Sequence, residues 1–224
     1  MKLLSRMGAL ALAAGLALAS DAGAQPLPPA LQPDALMRGV TGEVSEILRA
    51  DLAAGRRPDV AGLVASRIVP LFDFERMTRM AVARNWRLAS PPQQAALIAQ
   101  FRLLLVRTYS GALAEYRGQE IEYRPLRAAA GESEVLVRSF MRQPGAEPLT
   151  IDYDMEAGPA GWKVFDVKVA GISLVMNYRE TFAAAVREGG IDGLLESLSN
   201  RNLQNDAGAK LAPVLMLRTI GAPQ

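Results

Sequence analysis

Ser133-Glu134-Val135-Leu136-Val137-Arg138, Leu149-Thr150-Ile151-Asp152-Tyr153-Asp154-Met155 and Trp162-Lys163-Val164-Phe165-Asp166-Val167 are the stretches that decide the fold of this 224-residue chain. Val135 and Val137 alternate with Glu134 and Arg138, and Ile151 and Tyr153 with Asp152 and Asp154. A period of two marks strands with one covered face and one wet face. Four strands are predicted: Glu120 to Leu126, Ser133 to Arg142, Leu149 to Met155 and Trp162 to Val169. Gly131, Pro144-Gly145 and Gly158-Pro159-Ala160-Gly161 separate them as hairpin turns, so the meander is antiparallel.

On either side of this block the period is helical. Asp34 is the expected cap of a helix to about Ala54, with apolar Leu36, Val40, Val44, Ile47, Leu48 and Leu52. Asp59 starts a second, ending near Pro70, and Asp73 caps a third, Phe74 to about Asn85. Ser90-Pro91-Pro92-Gln93 combines a capping serine, a proline at the first helical position and a glutamine placed to close a capping box. The long helix it opens runs to about Tyr116 and aligns Leu97, Phe101, Leu104, Leu105, Thr108, Ala112, Leu113 and Tyr116 on one face. The sheet is the expected cover for that stripe. After Gly171 the helical period returns through Leu174, Tyr178, Phe182 and Val186, and Ile191 to Leu203 forms a last helix. This order defines an α+β fold in which a long helix lies across a concave antiparallel sheet, a layout suited to enclosing an apolar cavity.

Residues 1–24 read as a cleavable secretory signal: Lys2 and Arg6 precede an apolar run from Met7 to Ala19, with small Ala22 and Ala24 before the expected cleavage at Gln25. The run is too short to span a bilayer, and no cysteine follows it for lipidation. A Pro-rich lead-in (25–33), one domain (34–203) and a tail without pattern (204–224) complete the organisation. In a Gram-negative cell the mature chain would be periplasmic.

Composition narrows the chemistry. The chain has no histidine and no cysteine, which removes Ser/His/Asp triads, thiolate nucleophiles, disulfides and ordinary zinc or haem ligation. Net charge is +2, falling to +1 without the signal, so nucleic acid is not an expected partner. No Gly-rich nucleotide loop occurs, and no metal or cofactor is expected.

Several ordered motifs are specific. Phe72-Asp73-Phe74-Glu75-Arg76-Met77, Asn85-Trp86, the run Phe101 to Tyr109, Trp162-Lys163-Val164-Phe165-Asp166-Val167, Gly171-Ile172-Ser173-Leu174-Val175, Asn177-Tyr178-Arg179 and Gly190-Ile191-Asp192-Gly193-Leu194 resemble the MlaC-type, or toluene-tolerance, family of periplasmic phospholipid-binding proteins. The resemblance covers roughly Ala35 to Asn202. It implies an NTF2-like curved sheet with surrounding helices that holds acyl chains inside and leaves the headgroup outside. It also implies a monomeric, non-enzymatic carrier, which shuttles phospholipid between an outer-membrane lipoprotein complex and an inner-membrane ABC transporter with an MCE subunit, maintaining outer-membrane lipid asymmetry.

On that reading the pocket candidates are Phe101, Leu105, Tyr109 and Leu113 on the long helix, facing Val135, Val137, Tyr153 and Val164 on the sheet. Ile172, Leu174 and Val175 would close one side. The same apolar patterns also describe a solid core. Arg76, Arg79, Arg84 and Arg87 flank Trp86 as candidates for a headgroup or acidic partner, against a solvated helix face. Asp166, in an apolar strand, is expected to pair with Arg179. Three other functions fit the residues: a hopanoid-associated carrier of the same family, a small NTF2-like enzyme using Asp152, Asp154 or Asp166 as a base, and an envelope adaptor or chaperone.

Overall fold

The computed structural model describes residues 32–128, 131–142, 145 and 147–208. The expected signal, most of the lead-in and the tail from residue 209 lie outside them. The first helix, α1 (Pro33–Ala53), has a proline in its first turn and presents Pro33, Met37, Val44 and Leu48 inward. That stripe is rotated from the expected one; Leu52 is 45% exposed. Past Gly55, whose φ of +66° requires glycine, Asp59 caps α2 (Val60–Leu63), which continues as a π-helical turn (64–68) and a 3-10 turn (69–71).

Asp73 caps α3 (Phe74–Val82), its carboxylate accepting from the Arg76 N–H at 2.8 Å. A 3-10 helix (83–88) leads to Ser90, where the expected capping box forms: the Gln93 side-chain oxygen accepts from the Ser90 N–H at 2.9 Å. The helix it opens is α4 (Pro91–Ala114).

The sheet is an open antiparallel meander of five strands in sequence order: β1 (Glu120–Tyr123), β2 (Glu134–Arg142), β3 (Leu149–Gly158), β4 (Gly161–Val169) and β5 (Ile172–Ser173). The first four match the expected strands. The fifth arises because Ala170 and Gly171 both take positive φ, the geometry of a two-residue hairpin turn. Residues Ile172 to Leu174 therefore turn back along β4, and the last helix starts later than the apolar spacing suggests. It is α5 (Arg179–Gly208), broken at Gly189-Gly190, where Gly190 has φ +65°.

One irregularity sets the inner face. Asp154 pairs with Asp166 and Met155 with Val164, so Phe165 is an extra residue in β4. The bulge turns Val164 and Val167 to the same side, and Val164 through Val167 are all buried. The opposite face carries the charges. Lys168 bonds Asp154 at 2.7 Å, and Glu134 lies directly across from Glu156.

Two apolar cores result. Leu97, Phe101, Leu104 and Leu105 of α4 pack with Met77, Ala81 and Val82 of α3, Val175, and Phe182, Ile191, Leu194 and Leu198 of α5. The inner face of the sheet (Tyr123, Val135, Val137, Tyr153, Met155, Val164, Val167) is buried with Met37 of α1. The expectation that the sheet covers the stripe of the long helix is thus corrected. The kinked α5 supplies a complementary helical stripe, because the break at Gly190 lets Phe182 before it and Leu194 and Leu198 after it reach the same core.

Candidate functional site

The two cores meet at Phe72, which packs against both. The Asp73 N–H donates to the Val164 carbonyl at 2.8 Å, and this tie holds the start of α3 on the sheet. Partly buried apolar side chains pack against each core: Ile151, Trp162, Val169 and Leu174 against the sheet core, Tyr109 and Tyr178 against the helical one.

The pocket candidates are divided between the two cores. Phe101, Leu105 and Val175 belong to the helical core, with Tyr109 packed against it; Val135, Val137, Tyr153 and Val164 belong to the sheet core, with Leu174 against it. Leu113, near the end of α4, is half-buried. Ile172 does not close the side, since on the edge strand β5 it is 49% exposed. Phe101 is held edge-on by Tyr178 and Phe182, each with ring centres 5.2 Å away. Met37, Phe72 and Tyr123 were missed in the sequence. Their signals were the apolar spacing of α1, the aromatic start of the Phe72 motif and, for Tyr123, its place in the first predicted strand.

The polar groups among these side chains are hydroxyls. Tyr123 and Tyr153 stack at 6.4 Å and hydrogen-bond to each other; the Tyr123 hydroxyl also reaches Thr41 Oγ1 at 3.1 Å, and Tyr153 reaches Ser139. Tyr109 and Tyr178 form a second bonded pair. Burial pushes all four phenols above their usual range, so they stay neutral at physiological pH. Such an interior offers apolar surface and neutral hydrogen-bonding groups.

Asp166 is buried, and its expected partner is replaced. Oδ1 accepts from the Val167 N–H at 2.8 Å and the Val175 N–H at 3.3 Å, and the Ser173 hydroxyl bonds the same carboxylate. Arg179 instead donates to the Met80 carbonyl at 3.2 and 3.3 Å. The β5 hairpin carries the Ser173 hydroxyl and, just beyond it, the Val175 N–H back over Asp166, whereas Arg179 opens α5 beside the end of α3. Burial raises the Asp166 pKa, with the Asp154 charge adding to it and the hydrogen bonds opposing.

Arg76 is committed to the sheet. It bonds Glu134 at 2.8 Å and Glu156, with its guanidinium carbon 3.5 Å from the centre of the Phe165 ring. It lines a groove of about 580 Å³ with Asp73, Glu75, Arg79, Met80 and Glu156. Carboxylates outnumber guanidinium groups there, and both Arg76 and Arg79 lie within ion-pair reach of them. Arg79 itself is 3.8 Å from Glu75, and Arg84 and Arg87 are exposed beside Leu88. Because Arg76 screens two opposed glutamates, Arg76→Met is expected to lower stability by about 1–2 kcal/mol at neutral pH, measured by urea denaturation.

The described chain is thus an α+β protein in which an open five-stranded antiparallel sheet and a helical layer each bury an apolar face. Among the described residues no helix is long and apolar enough to cross a membrane. Residues 38–200 match the family model described as MlaC protein, so the chain belongs to the MlaC family. It is 28% identical to the toluene tolerance protein ttg2D of Pseudomonas putida over 160 residues, 68% of this chain and 74% of that one. It is 20% identical to the intermembrane phospholipid transport system binding protein MlaC of Haemophilus influenzae over 139 residues, 61% and 65% of the two chains. Among solved structures it resembles a phospholipid-binding protein from Ralstonia solanacearum in complex with a phospholipid, with TM-score 0.69, 39% identity, and coverage of 77% of this chain and 98% of that one. The resemblance carried by the Phe72, Trp162 and Gly190 motifs is thereby borne out.

Proposed function

We propose that this protein is a periplasmic carrier that binds a phospholipid by its acyl chains and moves it between an outer-membrane lipoprotein complex and an inner-membrane ABC transporter with an MCE subunit. The observation that carries the reading is the Ralstonia relative, similar over nearly its whole length and solved with a phospholipid bound. On this reading the acyl chains lie against the two apolar cores where they meet at Phe72. The headgroup stays at the surface.

The energetics favour handover at a docked partner. Removing a methylene from water is worth about 0.8 kcal/mol, so two acyl chains of about thirty methylenes represent on the order of 25 kcal/mol gross. Release into water is therefore very slow. A bilayer or a partner's own lipid channel offers nearly the same environment, so transfer across a docked interface is close to balanced. No cofactor is required, and the carboxylates of the enzyme alternative have structural occupations: Asp154 with Lys168, Asp166 with backbone N–H groups, and Asp152 across from Arg138 and Lys168.

Native mass spectrometry of residues 25–224, purified without detergent and followed by organic extraction, tests this. Stoichiometric phospholipid is expected. A hopanoid would move the cargo to the sister branch, a bound polypeptide would favour an adaptor, and an empty chain that takes up no lipid from vesicles would overturn the carrier.

A further inference from the structure

The helix α1 is built in two unlike halves. Its C-terminal half is anchored: Val44 and Leu48 are buried, and Glu43 bonds Arg67 of the π-helical turn at 2.8 Å. Its N-terminal half lies over the inner face of the sheet, where Met37 joins Tyr123, Val135 and Val137 in the sheet core. Between them stands Gly39-Val40-Thr41-Gly42. A methyl group added at either glycine would meet nothing within 4 Å, and both positions are exposed. Neither packing nor a positive φ accounts for these glycines, so what they contribute is a weak point in the helix. Thr41 adds to it by bonding back to the Met37 carbonyl at 2.9 Å.

The latch is at the same place. The Tyr123 hydroxyl donates to Thr41 Oγ1 at 3.1 Å and lies 3.3 Å from the Met37 carbonyl, and the Arg38 guanidinium sits 5.1 Å from the Tyr123 ring centre.

We infer that Pro33 to Arg38 form a flap over the apolar face of the sheet, which opens by unravelling at Gly39–Gly42 when lipid enters or leaves and is held shut by Tyr123. This rests on the carrier reading and deepens it: α1 gates the same interior. Each Gly→Ala change in a helix interior shifts the helix-to-unravelled equilibrium by about fivefold, and the pair by about twenty-five-fold.

The test compares wild type, the Gly39→Ala/Gly42→Ala double variant and Tyr123→Phe. Transfer of a fluorescent phospholipid to phosphatidylcholine–phosphatidylglycerol vesicles and amide hydrogen exchange are both measured. The double variant should fold normally, protect the amides of residues 36–43 about tenfold or more beyond wild type with α4 unchanged, and transfer lipid about tenfold more slowly. Tyr123→Phe should transfer it severalfold faster. Equal transfer rates in wild type and a double variant whose α1 is demonstrably more protected would overturn the flap and leave the carrier standing. A wild type that holds no phospholipid by mass spectrometry would overturn the carrier first, and the two failures are read by different measurements.

Discussion

Replacing Phe101 by alanine is expected to lower folding stability by about 3–5 kcal/mol and the melting temperature by about 10 °C. Phe101 is fully buried at the centre of the helical core, edge-on to both Tyr178 and Phe182. Those rings come from α5 and the turn before it, on the far side of the sheet in sequence, so the cavity would loosen the seam between α4 and α5. The Tyr178 ring cannot swing in without leaving Tyr109, to which it is bonded. Phe101→Leu, which keeps most of the volume, should cost less than half as much. Urea denaturation followed by circular dichroism measures both. A loss below about 1 kcal/mol for alanine would mean that the helical core is not close-packed at this point.

At Asp166 the expected result depends on which atom replaces the carboxylate. Asp166→Ala removes the acceptor of the Val167 and Val175 N–H groups and of the Ser173 hydroxyl, and leaving such groups buried without partners should cost about 2–4 kcal/mol. Asp166→Asn retains an oxygen and should stay within about 1 kcal/mol of wild type at low pH.

The pH dependence separates charge from geometry. Burial raises the folded-state pKa of Asp166 above its unfolded value, so the folded state binds this proton more tightly. The stability contributed by the protonated form is complete below the unfolded pKa, near pH 4, and is lost as pH rises through the folded pKa. Asparagine does not titrate. The difference in stability between wild type and Asp166→Asn should therefore move in favour of asparagine from pH 4 to pH 7. A difference that moves the opposite way would show that hydrogen bonding, not burial, dominates at this carboxylate.

Local readings succeeded where the physics is local. The Ser90–Gln93 capping box and the Asp73 cap need only a few consecutive residues to satisfy the first N–H groups of a helix, and both form as expected. The alternation in Ser133–Arg142 and Leu149–Met155 specifies strands, with their wet and covered faces, because consecutive side chains on a strand must point apart. The family motifs are also local runs, and the match over residues 38–200 bears them out. Sequence alone therefore determined the helices up to α4, the four-strand antiparallel meander after them, and the family.

Tertiary structure decided which apolar faces meet. Periodicity reports that Leu97, Phe101 and Leu105 must be covered but not by what; the break at Gly190 lets α5 cover them, and α1 covers part of the sheet. The partner of Asp166 was likewise out of reach. It depends on the extra residue Phe165 in β4, and on the two positive-φ residues that fold the β5 hairpin back over the carboxylate. Both arrangements join residues distant in sequence, and burial alone, without direction, is all that an apolar pattern encodes.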